Sequence, residues 1–206
     1  MTRERELAAI QRIRDGDADA FEELMAAYEK NVYNLALRMV GNPEDAADMS
    51  QEAFIKAYNN LASFRGDSKF SVWLYRIVSN VCLDFLRRQS RRGTVSLSME
   101  DEDGDEVQLD IADESQSPER LLERQLTRDA VRRGLGQLPE DSRQILLLRE
   151  IQGLSYEEIA QVLDIEVGTV KSRIFRARKK LCAFLLQDGN ISDFVSSSKQ
   201  RGGETP

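Results

Sequence analysis

The sequence predicts an all-α protein: two small helical domains joined by an acidic flexible linker, the C-terminal one a helix-turn-helix. Apolar residues recur at steps of three and four over most of the chain, and no strand pattern of any length interrupts them. The periodicity is lost around Glu100–Glu119, a segment that contains ten carboxylates and no lysine or arginine. A short helix, a tight turn and a basic helix then follow between Gly153 and Leu181. We therefore expect a first domain at 1–92, a linker at 93–118, a second domain at 119–187 and a disordered tail at 188–206.

The composition excludes several classes of function. The 206 residues include no histidine and two cysteines, Cys82 and Cys182, which lack metal-ligand spacing. Histidine bases, Ser-His-Asp triads and Cys/His zinc fingers are thereby excluded, and we expect no metal, no cofactor and no enzyme activity. Both cysteines lie in apolar helical patterns and are expected to be small core residues. The charged N-terminus is not a signal peptide and no run is long enough to span a membrane, so the expected compartment is the cytoplasm.

The distribution of charge matters more than its sum. The formal net charge is −7, which taken alone argues against a nucleic-acid partner. Setting aside the ten carboxylates of the acidic block leaves +3 for the rest of the chain. Residues 166–181 alone hold six bases and one acid. The parts of the chain that are expected to fold are therefore neutral to basic.

The N-terminal half predicts two helices before the first proline. Residues 4–14 place Leu7, Ile10 and Ile13 on one side. Asp15-Gly16-Asp17 ends this helix, and Asp17 or Asp19 is expected to cap the next one. The second helix ends at Gly41, because glycine suits the left-handed position that follows a helix. Its apolar residues are Phe21, Leu24, Tyr28, Val32, Leu35 and Met39.

Two further helices complete the predicted first domain. Asn42 is expected to cap the third helix, with Pro43 at its first position. Its inward residues are Ala46, Met49, Ala53, Phe54, Ala57 and Leu61. A polar loop, F-R-G-D-S-K, leads to the fourth helix, whose buried side is expected to comprise Trp73, Ile77, Val81 and Leu83 or Leu86. In the linker that follows, only Val107, Leu109 and Ile111 alternate, in a pattern that would suit an extended strand.

The second domain begins with a helix at 119–136, with apolar residues Leu121, Leu122, Leu126, Val131 and Leu135. Another helix starts after Leu138-Pro139 and ends at Gln152-Gly153. Ser155 and Glu158 form the capping-box pattern at the start of the short helix that follows. The last helix sets Val167, Val170, Ile174, Ala177 and Leu181 on one face, and its other faces are basic. A helix packed on one side and basic on the rest favours entry into the DNA major groove; the alternative is an amphipathic hairpin with a solvated charged face.

Two long stretches resemble a known family. The first comprises D-A-A-D-M-S-Q-E-A-F-I-K-A-Y and L-A-S-F-R-G-D-S-K-F-S-V-W-L-Y-R-I-V-S-N, and the second L-P-E-D-S-R-Q-I-L-L-L-R-E-I-Q-G-L-S-Y-E-E-I-A and V-G-T-V-K-S-R-I-F-R-A-R-K-K-L. In this order they resemble the extracytoplasmic-function group of sigma-70 factors, over about residues 10–187. The resemblance implies that the chain binds core RNA polymerase and directs it to promoters through their −35 and −10 elements. It also implies an anti-sigma factor as a further partner, a stress or envelope response, and a monomer when no partner is bound.

The resemblance places polymerase binding on the third helix. In the family this helix docks on a coiled coil of the largest polymerase subunit, and the flap is a further part of core polymerase that the resemblance implies as a partner. The residues implied for the coiled coil are Asp45, Asp48, Gln51, Glu52 and Lys56. An acidic stripe suits a basic partner, although a solvated helix face is the simpler interpretation without the family. Met49-Ser50 departs from the family's two apolar residues and leaves the packing at Ser50 open.

The loop before the fourth helix, together with the helix itself, resembles the part of these proteins that binds the −10 promoter element, which we call the −10 reader. This part must hold unstacked DNA bases. The implied −10 contacts are Phe64, Arg65, Asp67, Ser68, Lys69, Tyr75, Arg76, Ser79 and Asn80, with Phe70 as a further aromatic of the loop. Trp73 has the spacing of a core residue, and we favour the core over stacking on DNA. Arg87, Arg88, Arg91 and Arg92, at the end of the helix, are expected to contact phosphates.

The helix-turn-helix resembles the −35 reader. The residues implied for base edges are Lys171, Ser172, Phe175 and Arg176, since lysine and arginine donate to guanine and an aromatic ring meets the thymine methyl group. Arg149, Thr169, Arg173, Arg178 and Lys179 are expected to contact phosphates, and Gly168 to allow close backbone approach. In the family the acidic linker runs toward the RNA exit path; a solubilising spacer, or a segment that folds back over the basic faces, are the other interpretations.

Two other classes of function stay open at this point. The first is a stand-alone helix-turn-helix regulator with an α-helical sensing or dimerisation domain, although no heptad seam supports a dimer. The second, an enzyme on a helical scaffold, has little support because the sequence carries no histidine, glycine-rich phosphate loop or metal spacing.

Overall fold

The computed structural model describes residues 1–91 and 118–187, and within 118–125 it describes the backbone only. All regular elements in these ranges are helical. The predicted linker, its Val107-Leu109-Ile111 pattern, Arg92 and the predicted tail lie outside the described residues. The elements are α1 (Arg3–Arg14), α2 (Ala20–Val40), α3 (Pro43–Asn60), a 3-10 turn (Leu61–Ser63), α4 (Phe70–Arg91), α5 (Pro118–Gly136), α6 (Glu140–Leu146), a π-helical turn (Leu147–Ile151), α7 (Tyr156–Leu163) and α8 (Val167–Gln187).

The predicted caps of the first helices are confirmed. Asp17, not Asp19, accepts a hydrogen bond from the backbone of α2, at 3.3 Å from the Ala20 nitrogen. The Asn42 side chain accepts one from the Asp45 nitrogen at 3.0 Å. Gly41 ends α2 with φ +83°, in the left-handed region. These local bonds place α2, α3 and α4 against one another, with α1 packed on α2.

The core of residues 1–91 contains the predicted apolar stripes, with one exception on α1. Leu7 is exposed, and Glu6, Ala9 and Ile10 are buried instead. The reason is polar: the Tyr28 hydroxyl of α2 donates a hydrogen bond to Glu6, which turns that face of α1 inward. Ser50 is buried within α3 and donates to the Ala46 carbonyl at 2.6 Å, so the hydroxyl that departs from the family's apolar pair is satisfied within its own helix.

The second group of helices departs from the prediction in three places. The helix after Pro139 is shorter than expected, because a π-helical turn replaces its last residues from Leu147 onward. Leu126 was predicted to be buried on α5 but is exposed. Cys182 was predicted to be a core residue and is exposed on α8, one position beyond the buried stripe, whereas Cys82 is buried as expected. The capping box of Ser155 and Glu158 is present as predicted.

The two groups of helices touch each other. Helix α7 lies against α4, and α6 lies against α2. The Arg143 guanidinium donates to the Met39 carbonyl of α2 at 2.7 Å and to the Leu135 and Gly136 carbonyls of α5 at 3.0 Å. Arg143 therefore stabilises the carbonyl ends of two helices, where a positive charge is favourable. Burial lowers the pKa of this guanidinium below its ordinary value.

Candidate functional site

Helix α8 presents a basic outer face. Val170, Ile174 and Ala177 are buried against α6 and α7, which fixes the rotation of the helix. The predicted base-contact residues lie together on the outside: Lys171, Ser172, Phe175 and Arg176 are all exposed. Phe175 is 71% exposed, which is unusual for a phenylalanine. An aromatic ring among exposed lysine and arginine side chains is suited to contact with apolar groups on a nucleobase.

The Tyr156 ring, at the start of α7, connects the helix-turn-helix to the preceding turn. The Arg149 guanidinium lies 4.8 Å from the ring centroid, and the Lys171 ammonium 5.9 Å from it. Arg149 also donates to the Leu154 carbonyl at 2.7 Å. Arg149 thus has a structural role in addition to the predicted phosphate contact, which its half-buried position still permits.

The remaining predicted phosphate contacts are mostly exposed. Arg178 is exposed and donates to the Glu150 carboxylate at 3.0 Å, and this pair raises the pKa of the guanidinium further. Arg87 faces Asp84 at 3.7 Å. Lys179, Arg88 and Arg91 are exposed, and Arg173 and Thr169 are half-buried. A phosphate that approached Arg178 would compete with Glu150 for its donors.

A groove of about 340 Å³ separates α3 from α4. Arg76 and Asn80, both predicted, are exposed along it, and Trp73 forms part of its wall while remaining 8% exposed. The core placement favoured for Trp73 is confirmed by that burial. The groove is completed by Lys56 and Asn60 at the end of α3 and by Ser63 in the 3-10 turn that follows, of which sequence reasoning missed the last two. Their signal was available: polar residues at the end of a helix directly before the predicted reading loop.

A second groove, of about 370 Å³, lies between the 64–69 loop and α7. Arg65, Asp67 and Ser68 line it from the loop, and Gln161 and Asp164 from the helix-turn-helix. The Lys69 ammonium lies 2.9 Å from the Glu158 carboxylate, the same group that closes the capping box. Two predicted DNA-binding regions, distant in sequence, therefore face each other in this structure.

Helix α3 exposes a mixed acidic and apolar stripe. Asp48, Gln51, Ile55 and Tyr58 follow one another at steps of three and four, and all are exposed. Ile55 is 55% and Tyr58 is 43% exposed. Sequence reasoning missed these two, which lie one turn apart outside the inward stripe and together form an exposed apolar surface from which an interface can be proposed. Of the other predicted residues, Glu52 and Lys56 pair at 2.7 Å, and burial together with Asp48 and Glu44 raises the pKa of Asp45.

The comparisons with known proteins agree on one family. The model of Sigma-70 region 2 matches residues 24–92, and that of Sigma-70, region 4 matches residues 128–181. The RNA polymerase sigma-H factor of Pseudomonas aeruginosa is 43% identical over 185 residues, which cover 88% of this chain and 94% of that protein. The ECF RNA polymerase sigma-E factor of Escherichia coli strain K12 is 43% identical over 178 residues, covering 84% and 90%. The chain belongs to the extracytoplasmic-function group of the sigma-70 family.

Solved structures resemble this sigma factor in fold as well. CnrH, in complex with the cytosolic domain of CnrY, superposes with a TM-score of 0.63 at 29% identity, covering 88% of this chain and 97% of that one. The sigma factor RpoE of Bartonella quintana, in complex with the anti-sigma factor NepR, has a TM-score of 0.59 at 24% identity over 80% of this chain and 96% of that one, which supports the fold. Sigma factors are transcription initiation factors without enzyme activity, so the prediction that this chain is not an enzyme is confirmed.

Three predicted −10 contacts of this sigma factor are buried. Phe64 is 3%, Tyr75 4% and Ser79 1% exposed. Phe64 packs in the core, with its ring centroid 5.7 Å from Phe70 and 5.4 Å from Trp73. The rings of Phe64 and Tyr75 bury their apolar area in the core instead of presenting it to a DNA strand. Ser79 is buried as well, and its hydroxyl has no hydrogen-bond partner among the described residues.

Among the described residues of this sigma factor, no helix has the length and apolarity that crossing a membrane requires. Within the same ranges, no group of three or more histidine, cysteine or carboxylate side chains is arranged to hold a metal ion.

Proposed function

We propose that this sigma factor binds core RNA polymerase through α3, reads a −10 element with the α3/α4 groove, and reads a −35 element with α8. The observation that carries the proposal is the exposure, on one chain, of three separate surfaces within the two matched sigma-70 regions. A stand-alone regulator would need the helix-turn-helix and a dimer interface, and would have no use for the α3/α4 groove. We propose the domain division 1–92, 93–118 and 119–187 on the same grounds.

The −35 element is proposed to be read by the exposed face of α8. Lys171 and Arg176 supply donors for guanine, Phe175 supplies an apolar surface for a thymine methyl group, and Ser172 lies between them. Arg176 is held along the helix by a hydrogen bond from its Nε to the Ser172 carbonyl at 3.2 Å, which leaves its terminal nitrogens for a base. Phosphate contacts around this face are assigned to Arg149, Thr169, Arg173, Arg178 and Lys179.

The −10 element is proposed to be held as single strand in the α3/α4 groove. Asn80 offers a donor and an acceptor to a base edge, and Arg76 and Lys56 supply positive charge beside the strand. The buried Trp73 gives the groove a rigid aromatic wall. Arg65, Asp67, Ser68 and Lys69 extend the surface along the loop, and Arg87, Arg88, Arg91 and Arg92 are assigned to phosphates.

Polymerase binding is proposed for the α3 stripe. Asp48 and Gln51 would set the register on a basic partner, and Ile55 and Tyr58 would supply the apolar contact area that an interface needs at its centre. The coiled coil of the largest subunit is the proposed partner here, and the flap is proposed for the second domain. Since polymerase and promoter are its partners, the cytoplasm is the proposed compartment, with a monomer as the free state.

An anti-sigma factor is a further proposed partner. The Bartonella quintana sigma factor was solved with the anti-sigma factor NepR bound, and CnrH was solved with the cytosolic domain of CnrY bound. Control by an anti-sigma factor fits a stress or envelope response, in which a signal releases a preformed initiation factor.

The experiment is run-off transcription from a promoter library with core polymerase and the purified chain. Transcripts from a defined subset of promoters support the proposal, and tight binding to a duplex without added transcription refutes it. Two variants separate the surfaces. Arg176→Ala should weaken promoter choice about tenfold or more and leave polymerase affinity unchanged, because a base contact contributes about 1–3 kcal/mol. Asp48→Arg should abolish polymerase binding while the chain stays folded.

A further inference from the structure

Helix α1 lies outside the matched region 2, which begins at residue 24. It nevertheless contacts the loop that precedes α4. The Arg14 guanidinium donates a hydrogen bond to the Phe64 carbonyl, and the Arg3 guanidinium donates to the Gly66 carbonyl at 3.4 Å. Both acceptors are backbone atoms of the loop, so the contacts constrain its path rather than a single side chain.

The loop has little structure of its own to hold it. The Phe64 nitrogen donates to the Leu61 carbonyl at 3.1 Å, which ends the 3-10 turn, and Gly66 takes a left-handed φ of +82°. The next backbone bonds begin α4, from Val72 and Trp73 back to the Lys69 carbonyl. Between these points, guanidinium groups from α1 satisfy two backbone carbonyls that would otherwise face water.

Helix α1 is itself firmly anchored, which makes it a suitable support. Ala9 and Ile10 are buried against α2, and the Tyr28 hydroxyl donates to Glu6. Arg12 donates to Asp17 at 2.9 Å and to Glu23 at 2.6 Å, at the junction between the two helices. The exposed side chain of Leu7 lies beside Gly66 and adds an apolar contact between α1 and the loop.

We propose that α1 is a positioning element for the −10 reader, with Arg14 and Arg3 as the positioning residues. Arg14 fixes the Phe64 carbonyl, and the Phe64 ring lies 5.4 Å from the Trp73 ring that forms the wall of the α3/α4 groove. Arg3 fixes Gly66, which stands between Arg65 and Asp67, two loop residues that line the second groove and are proposed to extend the −10 surface along the loop. Selectivity at the −10 element therefore depends on residues that do not touch the DNA. This inference rests on the proposed function of the groove.

The test uses the full chain with core polymerase and a promoter recovered from the library. Binding is measured by fluorescence anisotropy on a template that carries the selected −10 element, and on templates with each of its bases substituted. Three variants are compared with the wild type: Arg14→Met, Arg3→Gln and Arg14→Lys. Arg5→Gln is the matched control, because Arg5 is an exposed arginine of the same helix that makes no hydrogen bond to the loop in the described structure.

We expect Arg14→Met to reduce discrimination between the selected and substituted −10 elements about tenfold, within the range of a lost base contact. Arg3→Gln should reduce it about threefold. Arg14→Lys should retain most of the wild-type discrimination, since a lysine ammonium also donates to a carbonyl. Arg5→Gln should leave discrimination unchanged, and the dependence of affinity on salt should be the same for Arg14→Met and the wild type.

Two outcomes overturn the inference. If Arg14→Met and Arg5→Gln lose affinity equally for all templates, with a shallower salt dependence, the α1 arginines bind phosphate directly. If Arg14→Met and Arg3→Gln discriminate as the wild type does, the loop needs no support. Should Arg14→Met fail to fold, Arg3→Gln decides, because Arg3 is exposed and its loss leaves the core intact. A wild type that shows no −10 discrimination would refute the proposed function instead.

Discussion

Single residues decide which parts of the predicted DNA surface are available. Trp73, Phe64 and Phe70 form one aromatic cluster, with ring centroids 5.4 to 5.7 Å apart. Helical spacing indicated the burial of Trp73, but no comparable pattern covers an irregular loop, and the burial of Phe64 follows from long-range contact. Asn80 and Arg76 are exposed, as the family resemblance implied, whereas Tyr75 and Ser79 of the same helix are buried. The resemblance therefore identifies the helix that carries the predicted surface, but not which of its residues are exposed.

The two cysteines should differ sharply in reactivity. Burial raises the pKa of the Cys82 thiol from its ordinary value of 9.0 to about 12, with a smaller effect of the Glu52 charge, whereas Cys182 is exposed. Thiol labelling of the native chain at pH 8 should modify Cys182 quickly and Cys82 only after unfolding. Cys182→Ser should abolish the fast phase. Two equally fast thiols would contradict the burial of Cys82.

The same thiol makes stability depend on pH. Because its pKa is higher in the folded chain than in the unfolded one, its contribution is complete below about pH 9 and is lost as the pH rises toward about 12. The free energy of unfolding, measured in urea at pH 8 and pH 10, should therefore fall less for Cys82→Ala than for the wild type. An identical fall in both chains would mean that Cys82 titrates normally.

At the scale of elements, caps and apolar stripes could be predicted, and departures from regular helix could not. Asn42, Gly41 and the Ser155–Glu158 box each mark a boundary by local chemistry, which a sequence shows directly. The π-helical turn at Leu147–Ile151 has no such marker, since Leu147 and Leu148 are apolar residues that fit an α-helix equally well. The nitrogen of Gln152, directly after the turn, donates to the Leu147 carbonyl five residues earlier, at 3.1 Å. This longer hydrogen-bond spacing is what distinguishes the turn from the α-helix before it.

Two glycines in the second group of helices should respond in opposite ways to alanine. A Cβ at Gly134 would lie 2.7 Å from Leu181 Cδ1 and 2.9 Å from Phe184 Cδ1, so these two side chains would have to shift between α5 and α8. We expect Gly134→Ala to reduce the free energy of unfolding by about 1–2 kcal/mol, since overpacking costs more than helix propensity gains. At Gly168 no atom lies within 4 Å of a Cβ, and alanine should stabilise by up to about 1 kcal/mol. Chemical unfolding measures both; a stabilised Gly134→Ala would show that the Leu181 and Phe184 side chains move aside easily.

Gly168→Ala also tests the approach of DNA to α8. Since packing gives no reason for a glycine there, the predicted reason is a phosphate close to the backbone at the start of the helix. The stabilised variant should bind a −35 duplex several-fold more weakly than the wild type, as measured by anisotropy. The control is Arg5→Gln on α1, which removes an exposed charge at a position outside every proposed DNA contact and should leave −35 binding unchanged. Undiminished −35 binding by Gly168→Ala would remove the backbone from the proposed interface.

For the whole molecule, the contact between the two groups of helices is the feature that sequence reasoning did not anticipate. It brings together residues some ninety positions apart, such as Lys69 and Glu158, and no periodicity encodes such a pairing. Its polar part includes that partly exposed pair, the Arg143 bond to Met39 and a bond from Gln152 to the Asn31 carbonyl at 3.3 Å. A partly exposed ion pair contributes about 0–1 kcal/mol, so the Lys69–Glu158 pair makes a small contribution to the contact.

Promoter binding should force this contact apart. The nominal positions of the −35 and −10 elements differ by about 25 base pairs, which at about 3.4 Å each is about 85 Å of duplex. Lys69 belongs to the proposed −10 surface and Glu158 to the helix-turn-helix that carries the proposed −35 surface, so their contact at 2.9 Å holds the two regions much closer together than that length. Energy transfer from a dye on the exposed Cys182 to one on Glu29→Cys, an exposed position of α2, should fall strongly when core polymerase and promoter are added. A dye pair within the second domain, Cys182 with Asp141→Cys, should show no such fall.

Lys69→Gln should lower the transfer of the first pair in the free chain, and added salt should lower it in the wild type but less in this variant. Unchanged transfer in the promoter complex would mean that the two readers act side by side, and the assignment of one surface to each promoter element would then be wrong.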